Sequence, residues 1–392
     1  MSAATVGVPI GLPVNDTAAT AYPVLDQADA PLPVAVPLGT TLSAEDAVRL
    51  SEKQRAELLS RGFPPGLVKQ LELSCNTYPV RFFVLDNSGS MNASDGTRLH
   101  RKADGTFQTV QSTRWEELFD SVATIADMTE TLGVRSDFHL LNGAAGCGQF
   151  LSVGATEAAS FVPSVGAKLS ASELKNKVRW VTPSGTTPLT EAVQQIISQI
   201  EPAAAQMRAS GQQAVVTLMT DGLPNDKASF AMALRTLQAL PVWLVVRLCT
   251  NDDDIVGYWD ALDAQLEAGL EVLDDEAGEA AEVTGKNRWL SYGPPLHIVR
   301  TFGLSHKLFD LLDEHTLAPS QARAFCELLL GRELPEPQIE PEAFAERLAD
   351  ALSEVAAVYD PFRKCSRPWV DAQALTRLAS GQGAEEDTCI IL

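Results

Sequence analysis

The sequence predicts a doubly wound, Rossmann-like α/β fold, a mainly parallel sheet with a short helical segment before it and a helical extension after it. Three observations predict it. From about residue 78, short apolar runs alternate with stretches of helical periodicity, as parallel strands joined by crossover helices require. Two of those runs, "VRFFVLD" and "AVVTLMTD", are continuous instead of alternating, as strands covered on both faces are. Both end in aspartate, and an oxygen-rich loop, "PSGTTPLT", lies between them in the chain. Binding sites in doubly wound sheets form at the carboxyl ends of the strands, where these three segments would meet.

Residues 1–40 are rich in Ala, Pro, Val and Thr without periodicity and are expected to be a flexible leader. A helical hairpin is predicted over 41–77, with Ser43 as the N-cap of a helix over 45–60, a stop at "GFPP", and a second helix over 66–74. After the strand "VRFFVLD", the residues Trp115, Leu118, Phe119, Val122, Ile125, Ala126 and Thr129 keep helical spacing up to Gly133. "DFHLLN" and "QFLSVG" are predicted strands, and Leu189, Val193, Ile196, Ile197 and Ile200 mark a helix. "AVVTLMTD" and "VWLVVRLC" are strands, followed by the helices "ASFAMALRTLQAL" and "DIVGYWDALDAQL" respectively. "LHIVRTF" is expected to be the last strand of a domain over 78–305. Residues 306–380 are predicted to be helices only, packed on that domain or standing apart, and 381–392 a polar tail.

Composition excludes several classes. The 392 residues are 45% hydrophobic, enough for a large core. The formal charge of −21, with basic residues dispersed, argues against a nucleic-acid partner. Six cysteines show neither C-x-x-C nor any pairing with histidine, so neither a zinc module nor a secreted disulfide framework is expected. No basic region precedes a sustained apolar run at the N-terminus, and no window reaches the ~18 apolar residues of a membrane span. The expected location is the cytoplasm.

Asp86, Ser88 and Ser90 form D-x-S-x-S, Thr186 and Thr187 open a helix, and Asp221 ends a strand as Asp86 does. This is an all-oxygen set of the kind hard divalent cations take, Mg²⁺ or Mn²⁺ in preference to Zn²⁺. The three loops in this order resemble the von Willebrand factor A domain, the integrin I fold, over roughly residues 78–305. The resemblance implies a metal-ion-dependent adhesion site on Asp86, Ser88, Ser90, Thr187 and Asp221. It also implies one antiparallel edge strand, and an open coordination position for a partner's carboxylate. One departure stands beside the site: "NASDGTRLHRKADGTFQTVQST" separates the second serine from the first helix and is expected to be either a β-hairpin lid or a loose loop. "TNDDD" at 250–254 follows another strand and is better explained as a helix N-cap with dipole acids than as a second cation site.

The chain ends "CIIL", a C-a-a-X signal that predicts prenylation of Cys389 with preference for geranylgeranyl. Glu385, Glu386 and Asp387 stand where a polybasic stretch would reinforce such an anchor, so attachment to the cytosolic face of a membrane is expected to be reversible. The expected function is an intracellular binding module that captures an Asp or Glu of a protein partner through Mg²⁺. The competing readings are a Mg²⁺-dependent phosphoryl-transfer hydrolase and a metal-free scaffold of the same fold. Against the hydrolase, Ser88 occupies the place of the second aspartate that aspartate phosphatases carry, and the five histidines lie in unrelated settings. The protein is therefore expected not to be an enzyme.

Overall fold

Continuous apolar runs make the central strands, and the order in which they pair decides where the site falls. The computed structural model describes residues 48–102, 106–154, 159–266 and 270–379. The leader, the proposed Ser43 cap, and the tail with Cys389 lie outside these residues. Two helices come first, α1 (Glu52–Ser60) and α2 (Pro65–Thr77), then strand β1 (Val80–Leu85). The hairpin β2 (Gly96–Arg101) and β3 (Phe107–Ser112) leads into α3 (Arg114–Leu132). Next come β4 (Arg135–Leu140), β5 (Phe150–Val153), β6 (Ala167–Leu169), α4 (Ala171–Val178), α5 (Leu189–Ile200) and α6 (Ala204–Ala209). The second half of the sheet is β7 (Ala214–Thr220), α7 (Lys227–Gln238), β8 (Val242–Leu248), α8 (Asp253–Asp263), β9 (Glu271–Leu273) and α9 (Glu276–Lys286). Finally the chain forms α10 (Pro294–Thr301), α11 (Lys307–Glu314), α12 (Pro319–Leu330), α13 (Pro341–Ser353), the hairpin β10 (Val358–Asp360) and β11 (Cys365–Arg367), and α14 (Ala372–Ala379).

Among the described residues the main sheet has seven strands in the order β6-β5-β4-β1-β7-β8-β9. It is the doubly wound α/β sheet the sequence predicts. β1 sits at its centre, parallel to both β4 and β7. Side chains of β1 alternate between two cores: Val80, Phe82 and Val84 face α5, α7 and α8, and Phe83 and Leu85 face α3. Arg81, on the α3 side, is fully buried and donates to the carbonyls of Phe302 (3.1 Å) and Tyr78 (2.8 Å) and to Ser74 Oγ (3.1 Å). A buried guanidinium without such acceptors would be costly.

The helices outside the sheet share the α3-side core: Leu58, Leu67 and Leu71 from the front, and Phe309, Phe325, Leu329, Phe344 and Leu348 from the back, are all in it. α2 and α12 approach so closely that a Cβ on Gly66 would stand 2.1 Å from the Leu328 carbonyl oxygen.

The structure corrects several expectations. α1 begins at Glu52, where Ser51 and Gln54 form a capping box, and residues 48–50 are not helical. "LHIVRTF" is helix α10 and not the last strand; Pro294 and Pro295 open it, and Leu296 to Thr301 are all buried, so the run shows no helical periodicity. The last strand is the short β9 instead. Two strands, not one, run against the rest: β5 is antiparallel to β4, and β6 is parallel to β5. The region after 305 is not helical throughout, since β10 and β11 pair within it. The segment between Asn92 and Trp115 forms the β2–β3 hairpin, whose registered pairs run from Gly96 opposite Ser112 to Arg101 opposite Phe107.

Candidate metal centre

The two central strands place the two aspartates. Leu85 of β1 lies opposite Met219 of β7, and the Asp86 backbone N–H donates to the Met219 carbonyl at 2.9 Å, so Asp86 and Asp221 leave adjacent strand ends together. The Asp86 carboxylate is fully buried; its Oδ1 accepts from the Ser88 N–H (2.8 Å) and its Oδ2 from Thr220 Oγ1 (2.5 Å). Ser88 Oγ lies 3.0 Å from Ser90 Oγ, which donates to Asp221 Oδ1 at 2.8 Å. Ser88 and Asp221 are buried and Ser90 is exposed, so this line of oxygens opens to solvent at Ser90.

The threonine loop is tied to the first motif by its backbone. Gly89 N–H donates to the Gly185 carbonyl (3.2 Å), and Ser184 N–H to the Asn87 carbonyl (2.8 Å). Gly185 has φ +90°, and a Cβ there would stand 2.6 Å from Asn142 Oδ1, so the turn needs glycine for both reasons. Asn142 in turn donates through Nδ2 to the Thr186 carbonyl at 2.8 Å. Thr187 N–H donates to Asn225 Oδ1 (3.3 Å), and a Cβ placed on Gly222 would lie 3.7 Å from Thr187 Oγ1. The fold thus gathers Asp86, Ser88, Ser90, Thr187 and Asp221 at the carboxyl ends of the central strands.

One participant carries almost no signal in the sequence. Arg114, the first residue of α3, donates through Nη1 to Asp221 Oδ2 at 3.0 Å and grips Asp95 through Nε (2.7 Å) and Nη2 (2.6 Å). Its only mark is its place at the junction of the insertion and the helix. The hydrogen bonds it donates to Asp95 and Asp221 hold this guanidinium more firmly protonated than usual. Burial pushes the Asp86 carboxyl above the ordinary carboxylate range; hydrogen bonds from Thr220 and Ser88 oppose that, and neighbouring Asp221 adds to it.

The donor set fits a small hard cation. Ser88 and Ser90 hydroxyls can rotate their hydrogens away and offer lone pairs, the Thr187 hydroxyl has no hydrogen-bond partner among the described residues, and Asp221 supplies charge. Among the described residues Arg114 is the one basic side chain paired with Asp221.

No family model matches the sequence, and no curated protein does. Among solved structures, the chain is similar to the manganese-loaded TRAP protein of Plasmodium vivax, at 14% identity over 53% of this chain and 72% of that one, with a TM-score of 0.33. It is also similar to proximal thread matrix protein 1 of the mussel byssus, at 18% identity over 44% of this chain and 38% of that one, with a TM-score of 0.27. At these values the site rests on its own geometry.

The acidic run at 252–254 has a structural task. Asp252 caps α8, its Oδ1 accepting from the Asp254 N–H at 3.0 Å, and Asp253 and Asp254 occupy the first turn. Among the described residues no helix is long and apolar enough to cross a membrane.

Proposed function

We propose that the protein is a divalent-cation-dependent protein-binding module. Asp86, Ser88, Ser90, Thr187 and Asp221 would hold Mg²⁺ or Mn²⁺ and recognise an acidic residue of a partner protein. The observation that carries this reading is the chain of contacts from Asp86 through the Ser88 N–H and the Ser88 and Ser90 hydroxyls to Asp221, which reaches solvent at Ser90, with a Thr187 hydroxyl that has no hydrogen-bond partner among the described residues on the adjoining loop. When bound, the cation supplies a Lewis-acidic position for a carboxylate. The protein's own residues do the rest. Thr220 and the Ser88 N–H fix the Asp86 carboxylate, Asn142 and Gly185 fix the threonine loop, and the β2–β3 hairpin, anchored through Arg114, stands beside the opening as part of the partner surface.

The test is thermal unfolding with Mg²⁺, with Mn²⁺ and with chelator, for the wild type and for Ser90→Ala. A cation that binds only the folded chain raises the midpoint by mass action, by about 2.7 kcal/mol of stability at a hundred times its dissociation constant. The wild type should show the rise and the variant should lose most of it. No shift at millimolar cation would sink the reading. Prenylation at Cys389 is a separate part of the proposal, checked by the mass of the C-terminal peptide from eukaryotic expression beside that of Cys389→Ser.

A further inference from the structure

The β2–β3 and β10–β11 hairpins stand side by side: Thr109 Oγ1 lies 2.8 Å from the Tyr359 hydroxyl, and the Phe107 and Tyr359 rings are 6.3 Å apart. Between them lies a groove of about 490 Å³. Its charged lining residues are Asp95, Lys102 and Lys364, and Asp95 is held by Arg114. Neither lysine ammonium has a hydrogen-bond or ion-pair partner among the described residues. The groove thus offers two free ammonium groups in a chain whose formal charge is −21.

The backbone marks one of these lysines. Asp360 pairs with Cys365, so residues 361–364 form the turn, and Lys364 closes it at φ +55°. It is the only non-glycine with a positive φ among the described residues. Glycine would take that position without strain. A lysine there is strained, and no contact of its side chain within the fold offsets the strain. Two exposed aromatics flank the ammonium groups: Phe107 in the groove and Phe362 in the same turn as Lys364. This combination suits a segment that is acidic and apolar at once.

The chain carries such a segment. Residues 380–392, outside the described residues, place Glu385, Glu386 and Asp387 just before Ile390, Ile391 and Leu392. Residues 1–40 hold only isolated aspartates, Asp16, Asp26 and Asp29. The start of α14 lies beside the turn, because Arg363 donates to the carbonyls of Arg288 (2.8 Å) and Leu290 (3.3 Å) while Asp371 N–H donates to that of Trp289 (2.7 Å). From there α14 runs about 12 Å to Ala379. The six to eight residues from Ala379 to the acidic run span about 20–28 Å when extended, enough to return to the turn. Exposed ion pairs are individually weak, but a tethered segment meets its site at an effective concentration of about millimolar. We propose that this groove is the intramolecular dock of the C-terminal segment, with Lys102 and Lys364 receiving its acidic run and Phe107 and Phe362 its aliphatic end. Docking covers the hairpin beside the candidate metal centre and brings Cys389 close to Cys365.

Cys365 is exposed and adjoins Lys364, whereas Cys75, Cys147, Cys249 and Cys326 are buried. The experiment is therefore disulfide trapping with diamide on the full chain, expressed in bacteria so that Cys389 keeps its thiol, in low-salt buffer with chelator. The mass of the linked tryptic peptides reads the Cys365–Cys389 bond. It should form at least about fivefold faster in the wild type than in Lys102→Glu/Lys364→Glu, and adding Glu385→Lys/Glu386→Lys to that variant should restore the rate. In ~0.5 M NaCl, which screens exposed ion pairs, the wild type should slow. Both lysines are exposed, so the variant should melt with the wild type. Equal trapping rates in wild type and variant would overturn the dock, and a disulfide formed only between two chains would assign the groove to a second copy. If no disulfide forms at all, endoproteinase Glu-C decides: slower cleavage after Glu385 and Glu386 in the wild type than in the lysine variant supports docking, and equal cleavage overturns it. No cation is present, so the outcome is independent of the cation-binding reading.

Discussion

The two acidic regions of this protein differ in how they handle carboxylates. At the carboxyl ends of the central strands there are two, Asp86 and Asp221, each held by hydrogen bonds from hydroxyl or backbone groups, and Asp221 also by Arg114. Around the cavity beside β9 there are nine, with one guanidinium among them. The first region has few charges and converging oxygens. The second has many charges and dispersed ones. Charge count alone therefore does not make a metal centre, and hydroxyl groups, which add donors without adding repulsion, distinguish the site suited to a hard cation. In each region one arginine carries the balance, so replacing it tests the comparison.

The largest effect should come from Arg300→Met. Arg300 is 1% exposed and holds Glu271, Glu279 and Asp313. Removing one partner from a buried charge network leaves the others unpaired and typically costs about 3–5 kcal/mol. Urea unfolding should show that loss as a lower midpoint. If the variant proved as stable as the wild type, the carboxyls would have to satisfy one another by protonation.

Arg114→Gln should act oppositely on function and more weakly on stability. The Arg114 side chain is 14% exposed, and two of its three hydrogen bonds are to Asp95, which is itself exposed. The stability cost should be about 1.5–3 kcal/mol, the range of a single hydrogen bond to a charged group. Asp221 Oδ2 would be released, and Mg²⁺ or Mn²⁺ should bind several-fold to about tenfold more tightly, the latter being about 1.4 kcal/mol. Calorimetric titration of the cation reads this directly. Weaker cation binding in the variant would mean that Arg114 positions Asp221 for the ion and does not compete with it.

The contrast between the regions also explains what is legible in the sequence. The candidate metal centre is built from residues in short local motifs at strand ends, so D-x-S-x-S, the threonine loop and Asp221 can be recognised from the amino-acid order alone. Its supports Arg114 and Asn142 act across many residues of chain, and their local sequence marks them weakly or not at all, while Thr220 stands beside Asp221 but reaches across to Asp86. The acidic cavity is harder still to read. β9 is three residues long, too short for any period, and α10 is buried all round, so Arg300 sits in a run with the pattern of an apolar strand. Pro294 and Pro295 are the available signal, because proline in the first turn opens a helix and is rare inside a strand. The β2–β3 hairpin has weak alternation and only partial burial, so its local sequence leaves hairpin and loop equally open. Long-range contacts decide its form, with Thr97 N–H donating to Glu117 Oε2 at 2.8 Å and Arg98 pairing with Asp120.

The smallest expected effect is the dependence of stability on pH, and it sharpens the comparison by isolating the cavity. Asp274 and Asp310, which line the cavity, keep protons in the folded chain up to about 7 and about 6, while the unfolded chain releases them near ~4. The folded state therefore binds more protons across that window, and stability must fall as pH rises through it. The buried histidines act in the other direction. Burial lowers His139 to about 4, so the unfolded chain takes up protons below ~6.5 that the folded chain refuses, and stability falls as pH drops from there. The melting midpoint should peak near ~6 on the pH scale and decline on both sides. Asp274→Asn/Asp310→Asn should shrink the alkaline limb without abolishing it, because burial also raises Glu271, Glu276 and Glu279, and should leave the acid limb in place, since His139 pairs with Phe82 and Phe150 on the opposite half of the sheet. An alkaline limb unchanged by the double substitution would assign it to Glu271, Glu276 and Glu279, which burial also raises.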